Sequence, residues 1–151
     1  MGYSDDIIND LLEGNLSPQK VKELQSAPKD NERCEQVTRL EQKRVPWSDP
    51  IVICLQEHLY VVQKEGAKIV KCSCGHEFGD YRVNWKQEAL VYERDPMDGE
   101  IYASPHAADP EWMILREFYC PGCGTQLEVE GVCPGYPFIF NFLPEFDDDR
   151  K

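Results

Sequence analysis

Lys71-Cys72-Ser73-Cys74-Gly75-His76 and Cys120-Pro121-Gly122-Cys123-Gly124 are the two stretches on which the reading of this chain turns. Each is a short thiol hook, and a long insert separates them. Two such hooks are what a tetrahedral four-cysteine metal site requires: each wraps its backbone around one side of the ion, and the glycine after the second cysteine lets the chain turn away at positive φ. The second hook has the Cys-Pro-x-Cys-Gly form of a zinc or iron knuckle. The first is tighter than usual, with one residue between its thiols. Cys72, Cys74, Cys120 and Cys123 are therefore the candidate metal ligands. Such a site has no open coordination position, which suits a structural ion and not one that activates water.

The flanks of the hooks set the fold class. Runs rich in Val and Ile at 51–55, 59–63 and 68–72 predict strands, with Glu65-Gly66 turning the second into the third. Residues 85–94 alternate like a strand, 112–119 lead as a strand into the second hook, and 125–130 leave it. Two β-hairpins meeting at a metal make a zinc-ribbon arrangement. The insert between Cys74 and Cys120 holds 45 residues, too many for a structureless loop in a compact domain, and is expected to add strands to the sheet.

The first 45 residues read as helical. Ser4 caps a short helix carrying Ile7, Ile8, Leu11 and Leu12 on one face, and Gly14 ends it. Ser17-Pro18 starts a second helix, which Pro28 breaks. Asp30 is expected to cap a third, running to about Arg44 with Cys34, Val37 and Leu40 on one stripe. These stripes are narrow, so three such helices would be marginal alone. The chain is thus expected to be α+β: a helical, partner-docking arm at 1–45, a zinc-ribbon-like, mainly antiparallel β domain at 46–134, and an aromatic and acidic tail at 135–151. The tail, Gly135 to Pro144 followed by Glu145, Phe146 and the run Asp147 to Asp149, either packs back on its own sheet or docks in a partner subunit.

The 151 residues suffice for one domain with a real core; a domain of this size buries about 70% of its unfolded surface. Sixteen basic residues against 28 acidic ones give a net charge of −12, which argues against a phosphate backbone and against an anionic membrane surface. No stretch approaches the ~20 apolar residues of a membrane span, and residues 1–10 lack the pattern of a signal peptide. The expected location is the cytoplasm, where seven cysteines are reduced and metal-binding sooner than disulfide-bonded. Cys34 and Cys54 read as small core hydrophobes and Cys133 as a turn residue. His76 reads as polar cover at the first hook. His58 and His106 have no partner at a spacing that would make a dyad or triad, and no phosphate-loop pattern occurs. No catalytic residue is assigned.

The full string of motifs has a likeness: Pro28-Lys29-Asp30, Glu32-Arg33, Pro46-Trp47-x-Asp49, Cys72-x-Cys74-Gly75-His76-x-Phe78, Asn84-Trp85-Lys86, Arg116-Glu117-Phe118-Tyr119-Cys120-Pro121-x-Cys123-Gly124-Thr125 and Tyr136-Pro137. It resembles the small gamma-type subunit of acetone carboxylase and of the related acetophenone carboxylase, over nearly the whole chain. The resemblance implies a ligase-type cytoplasmic hetero-oligomer that carboxylates a ketone with bicarbonate at the expense of ATP. It implies larger, hydantoinase-like partner subunits that hold ATP, a divalent metal and the ketone chemistry, and a structural zinc ion (Zn2+) on Cys72, Cys74, Cys120 and Cys123 here. The chain stops soon after Phe146, where the acetone-type subunit extends further, a departure that favours the acetophenone-type complex. Two other readings stay open. A rubredoxin-like iron electron carrier would use the same thiolates, though with two Cys-x-x-Cys hooks. A zinc-ribbon adaptor of transcription or translation would have to bind protein and not nucleic acid, given the charge.

Overall fold

Three short helices precede two antiparallel sheets in the computed structural model, which describes residues 2–100 and 106–146. The architecture is α+β, and the acidic run Asp147 to Asp149 lies outside the described residues. The helices are α1 (Asp5–Leu12), α2 (Pro18–Ser26) and α3 (Arg33–Arg44). Ser4 and Ser17 cap the first two, their hydroxyl oxygens accepting from the Ile7 and Lys20 amides at 3.5 and 3.3 Å. Asp30 does not cap α3. Its carboxylate accepts from the Glu32 amide only two residues on, a local turn that delays the helix until Arg33. Cys34 is exposed instead of lying on the buried stripe, because it sits at the second residue of α3, ahead of the turns that meet the sheet.

The first sheet has the order β1 (Ile51–Gln56), β2 (Leu59–Lys64), β3 (Ala67–Cys72) and β4 (Glu77–Asp80). Its central strand β2 is buried on both faces, from Leu59 to Val62. Leu59 and Val61 join Val70, Phe78, Trp85 and Phe118 in the main core, whereas Tyr60 and Val62 face Val45 and Trp47 in a smaller cluster. Helix α3 closes that second side. Its Gln42 accepts from the Ile51 amide at 2.7 Å, and its Glu41 carboxylate accepts from the Tyr60 hydroxyl at 2.5 Å. Helix α1 is tied in turn to α3 by the Asp5–Arg39 ion pair.

The second sheet has the order β5 (Leu90–Arg94), β6 (Ile114–Tyr119) and β7 (Gln126–Val132). The sequence predicts a strand throughout 85–94, but Trp85–Glu88 form a 3-10 turn ahead of β5. The Asn84 side chain accepts from the Lys86 amide at 3.2 Å and starts that turn, which aims Lys86 inward. Lys86 is 1% exposed. Its ammonium donates to Glu128, Glu130 and the Ile139 carbonyl at 2.7, 2.6 and 2.8 Å, so all three protons are used.

The same cluster decides the fate of the tail, which packs back on its own sheet as far as Phe146. Arg116, paired with Glu130 at 2.9 Å, donates to the Tyr136 and Pro137 carbonyls at 2.6 and 3.1 Å. The Ile139 amide donates to Glu130 at 3.0 Å. Phe138 meets Phe118 edge-on at 5.1 Å, and Phe146 meets Tyr81 at 5.3 Å. Truncating one member of a buried ion cluster strands the others. Lys86→Ala is therefore expected to cost about 3–5 kcal/mol in urea unfolding and to free the tail for early proteolysis. A change below about 1 kcal/mol would show that the cluster is not a stabilising junction.

Candidate metal centre

Both hooks are the turns of hairpins. The first joins β3 to β4 and the second joins β6 to β7, so one comes from each sheet. Within the first hook the Cys72 amide donates to the His76 carbonyl and the Gly75 amide to the Cys72 carbonyl, at 2.8 and 2.9 Å. Within the second, the Cys120 amide donates to the Thr125 carbonyl and the Gly124 amide to the Cys120 carbonyl, at 2.9 and 2.8 Å. The two turns are thus closed by analogous pairs of bonds, each spanning one residue more in the second hook, as the wider spacing of its thiols requires.

The four sulfurs lie within 4.8 Å of one another. Cys72 Sγ is 3.9 Å from Cys123 Sγ, and Cys74 Sγ is 3.7 Å from Cys120 Sγ. A tetrahedron of sulfurs about 2.3 Å from a central ion has edges of about 3.8 Å, so the spacing fits a thiolate-bound metal. Cys72 and Cys120 are buried; Cys74 and Cys123 are exposed. Cys34, Cys54 and Cys133 lie outside the cluster. His76 lies outside it too, its ring edge-on to Phe78 at 4.9 Å.

Electrostatics divides the sulfurs. Burial pushes the Cys72 thiol far above its ordinary range, and also raises Cys120. Backbone amides offset part of this: that of Cys74 is directed at the Cys72 sulfur, and those of Gly122 and Cys123 at the Cys120 sulfur. Cys123 goes the other way. The Thr125 hydroxyl, 3.2 Å from its sulfur, stabilises the thiolate and lowers the thiol to about 7. A cation at the centre offsets the repulsion between four thiolates that the buried pair alone could not sustain.

Several residues that shape the centre carry no ligand atom. The Trp47 indole N–H is shared between the Cys72 and Ser73 carbonyls, at 3.2 and 3.0 Å, and the ring lies against Gly75. Gly75 has φ +102°, a conformation that side chains resist. Lys71, nearly buried, pairs with Asp49 at 2.5 Å and sits 5.0 Å above the Trp47 ring. The Pro46-Trp47-x-Asp49 motif is thus a brace for the first hook. Gly122 is required by closeness: a Cβ there would come within 2.9 Å of His76 Cβ and 3.3 Å of Cys74 Sγ. His58 has φ +62° at the tip of the β1–β2 hairpin; its carbonyl accepts from the Ser73 amide at 2.9 Å, and its Nδ1 is 3.3 Å from Ser73 Oγ. These braces are invisible to ligand-spacing rules, although paired Trp and Asp before the strands are a signal in hindsight.

The model of the family described as acetone carboxylase gamma subunit matches residues 45–151. This chain belongs to that family. The acetone carboxylase gamma subunit of Xanthobacter autotrophicus is 39% identical over 151 residues, which cover 97% of this chain and 90% of the relative. The acetophenone carboxylase beta subunit of Aromatoleum aromaticum is 35% identical over 81 residues, covering 49% of this chain and 60% of the relative. The likeness that runs the length of the chain is thus to the acetone-type subunit, against the preference drawn from the end of the sequence. Matched residues include both hooks and their braces, and begin just after α3.

In metal-free, reduced protein, labelling of Cys123 by an alkylating reagent is expected to rise through about pH 7, because the thiolate form reacts. Cys72 should stay unlabelled over the same range. Thr125→Val should move the Cys123 midpoint upward; a midpoint left unchanged would show that the hydroxyl is not what lowers it. Peptide-resolved mass spectrometry separates the sites.

Proposed function

We propose that this chain is a non-catalytic, zinc-holding small subunit of an ATP-dependent ketone carboxylase in the cytoplasm. The observation that carries the reading is the convergence of Cys72, Cys74, Cys120 and Cys123, from hairpins of two sheets, at tetrahedral spacing in a chain of this family. Bound there, zinc would supply a cross-link between the sheets and no open position for a substrate. The four thiolates hold it; Trp47, Lys71 and Gly122 keep the hooks in register. ATP, a divalent metal and the ketone belong on larger, hydantoinase-like partner subunits.

Residues 1–45 serve as an arm, with α3 fastened to β1 and α1 to α3. Residues 46–134 form the metal-bearing unit. Residues 135–151 form the tail, strapped to the second sheet through Tyr136 and Pro137 and meeting Tyr81, beside the first sheet, through Phe146. In the described residues no helix is long and apolar enough to cross a membrane.

The test is elemental analysis of the native complex and of the chain carrying Cys120→Ser. One zinc per chain is expected in the wild type, with two or more much larger chains co-purifying. Cys120→Ser should lose the metal and become insoluble or protease-sensitive. Metal retained in full by that variant would count against the ligand set. A red, iron-containing wild type would favour electron transfer instead.

A further inference from the structure

We propose that the solvent-facing side of the β5–β6–β7 sheet is the surface on which a larger carboxylase subunit docks, through an apolar patch of its own edged by a lysine or arginine. This rests on the reading of the chain as a subunit of such a complex. The strand registers place Leu90, Tyr92 and Arg94 of β5 beside Tyr119, Glu117 and Leu115 of β6. They place Glu117 beside Val129 of β7. All of these residues share one face, since side chains alternate along a strand. The other face, with Phe118, Arg116 and Glu130, carries the core and the strapped tail. The first face is left open: Leu90 is 57% exposed, Tyr92 51% and Val129 46%. Exposed Leu90, Tyr92 and Val129 thus flank the buried Glu117 carboxylate on one face, and apolar side chains gathered in this way on a folded sheet mark an interaction site.

At its centre sits a preformed polar anchor. Arg94 forks onto Glu117 at 2.9 and 3.2 Å, and the Tyr119 hydroxyl donates to the same carboxylate at 2.6 Å. Arg94 also lies 5.1 Å from the centre of the Tyr92 ring. Tyrosine and arginine are among the residue types that dominate binding energy at protein interfaces. The charge balance selects the partner. Arg94 faces Glu117, Glu100 and Asp98 together, so three carboxylates meet one guanidinium and two negative charges are left over at the margin. A second copy of this chain, with its net charge of −12, would bring more negative charge to that margin; a cationic rim on a different subunit relieves it.

Co-expression of the full chain with its cognate larger subunits, followed by affinity capture and quantitative mass spectrometry, tests this. The double variant Tyr92→Asp, Val129→Asp should lower recovery of the larger subunits at least tenfold, with metal content and circular dichroism unchanged. Glu100→Lys, at an exposed side chain, should lower recovery several-fold and flatten its decline between 50 and 300 mM salt. A photo-crosslinking residue at position 92 should join the chain to a larger subunit. Assembly of both variants as in the wild type, or a crosslink from position 92 to a second copy only, would overturn the surface while leaving subunit membership intact. Wild-type chain that recovers no larger subunit would overturn both.

Discussion

Four sulfurs drawn from turns at least 46 residues apart into one cluster are the constraint on which the rest of the molecule depends. Each hook is a hairpin turn, and each hairpin belongs to a different sheet. A metal ion bound by all four would cross-link the sheets and fix how they meet. Closing a loop of that length restricts the unfolded chain by about 4 kcal/mol on the entropy estimate used for disulfides. The apolar core sits directly behind the centre: Cys72 and Cys120 are core residues, beside Leu59, Phe78 and Phe118. Burial there would favour neutral thiols, and a cation reverses that preference. Core and metal centre are therefore one structure viewed from two sides.

A second constraint acts further from the hooks. Lys86, Arg116 and Glu130 are charged groups in the interior, and taking them out of water is costly unless every proton and lone pair finds a partner. Side chains alone do not suffice here. Most of the missing acceptors come from the tail backbone, through the carbonyls of Tyr136, Pro137 and Ile139, and among the described residues the Arg116 Nε–H is left without one. The tail is thus held by its peptide groups as much as by Phe138. That explains how an aromatic segment can leave Phe142 and Leu143 exposed and still lie in one place.

The parts legible in the sequence were those governed by local chemistry. Serine caps, the Val- and Ile-rich runs at 51–72 and hook spacing all follow from neighbours within a few residues, and the structure has the caps, strands and hooks they predict. The four thiols could be grouped because two from each hook add up to the four ligands of a tetrahedral site. What stayed hidden depends on distant partners. Residues 85–88 alternate like a strand, yet Asn84 bends them into a turn so that Lys86 reaches Glu128 and Glu130, 42 and 44 residues away. Asp30 has the right type to cap α3 but closes a local turn first. Trp47 lies 25 residues before Cys72, so the Pro46-Trp47-x-Asp49 motif could be noticed in the sequence but not connected to the hook its N–H serves. The fate of the tail was open for the same reason: its polar partners are on β6, on β7 and at Asn84 and Lys86, not in itself.

The proposed metal centre and the proposed docking face meet on a single strand. Strand β6 runs from Ile114 to Tyr119 and passes directly into Cys120. Its alternate residues Leu115, Glu117 and Tyr119 stand on the open face, while Phe118 and Arg116 hold the core and the tail. Fixing Cys120 therefore fixes the height and twist of β6, and with it the Arg94–Glu117–Tyr119 anchor. A closed thiolate site has no vacant position with which to act on a substrate. It can still matter to a carboxylase by rigidity: a surface already in its bound shape gives up less entropy on association than one that must order first. On this view the ion contributes to assembly from behind the interface, without touching the partner.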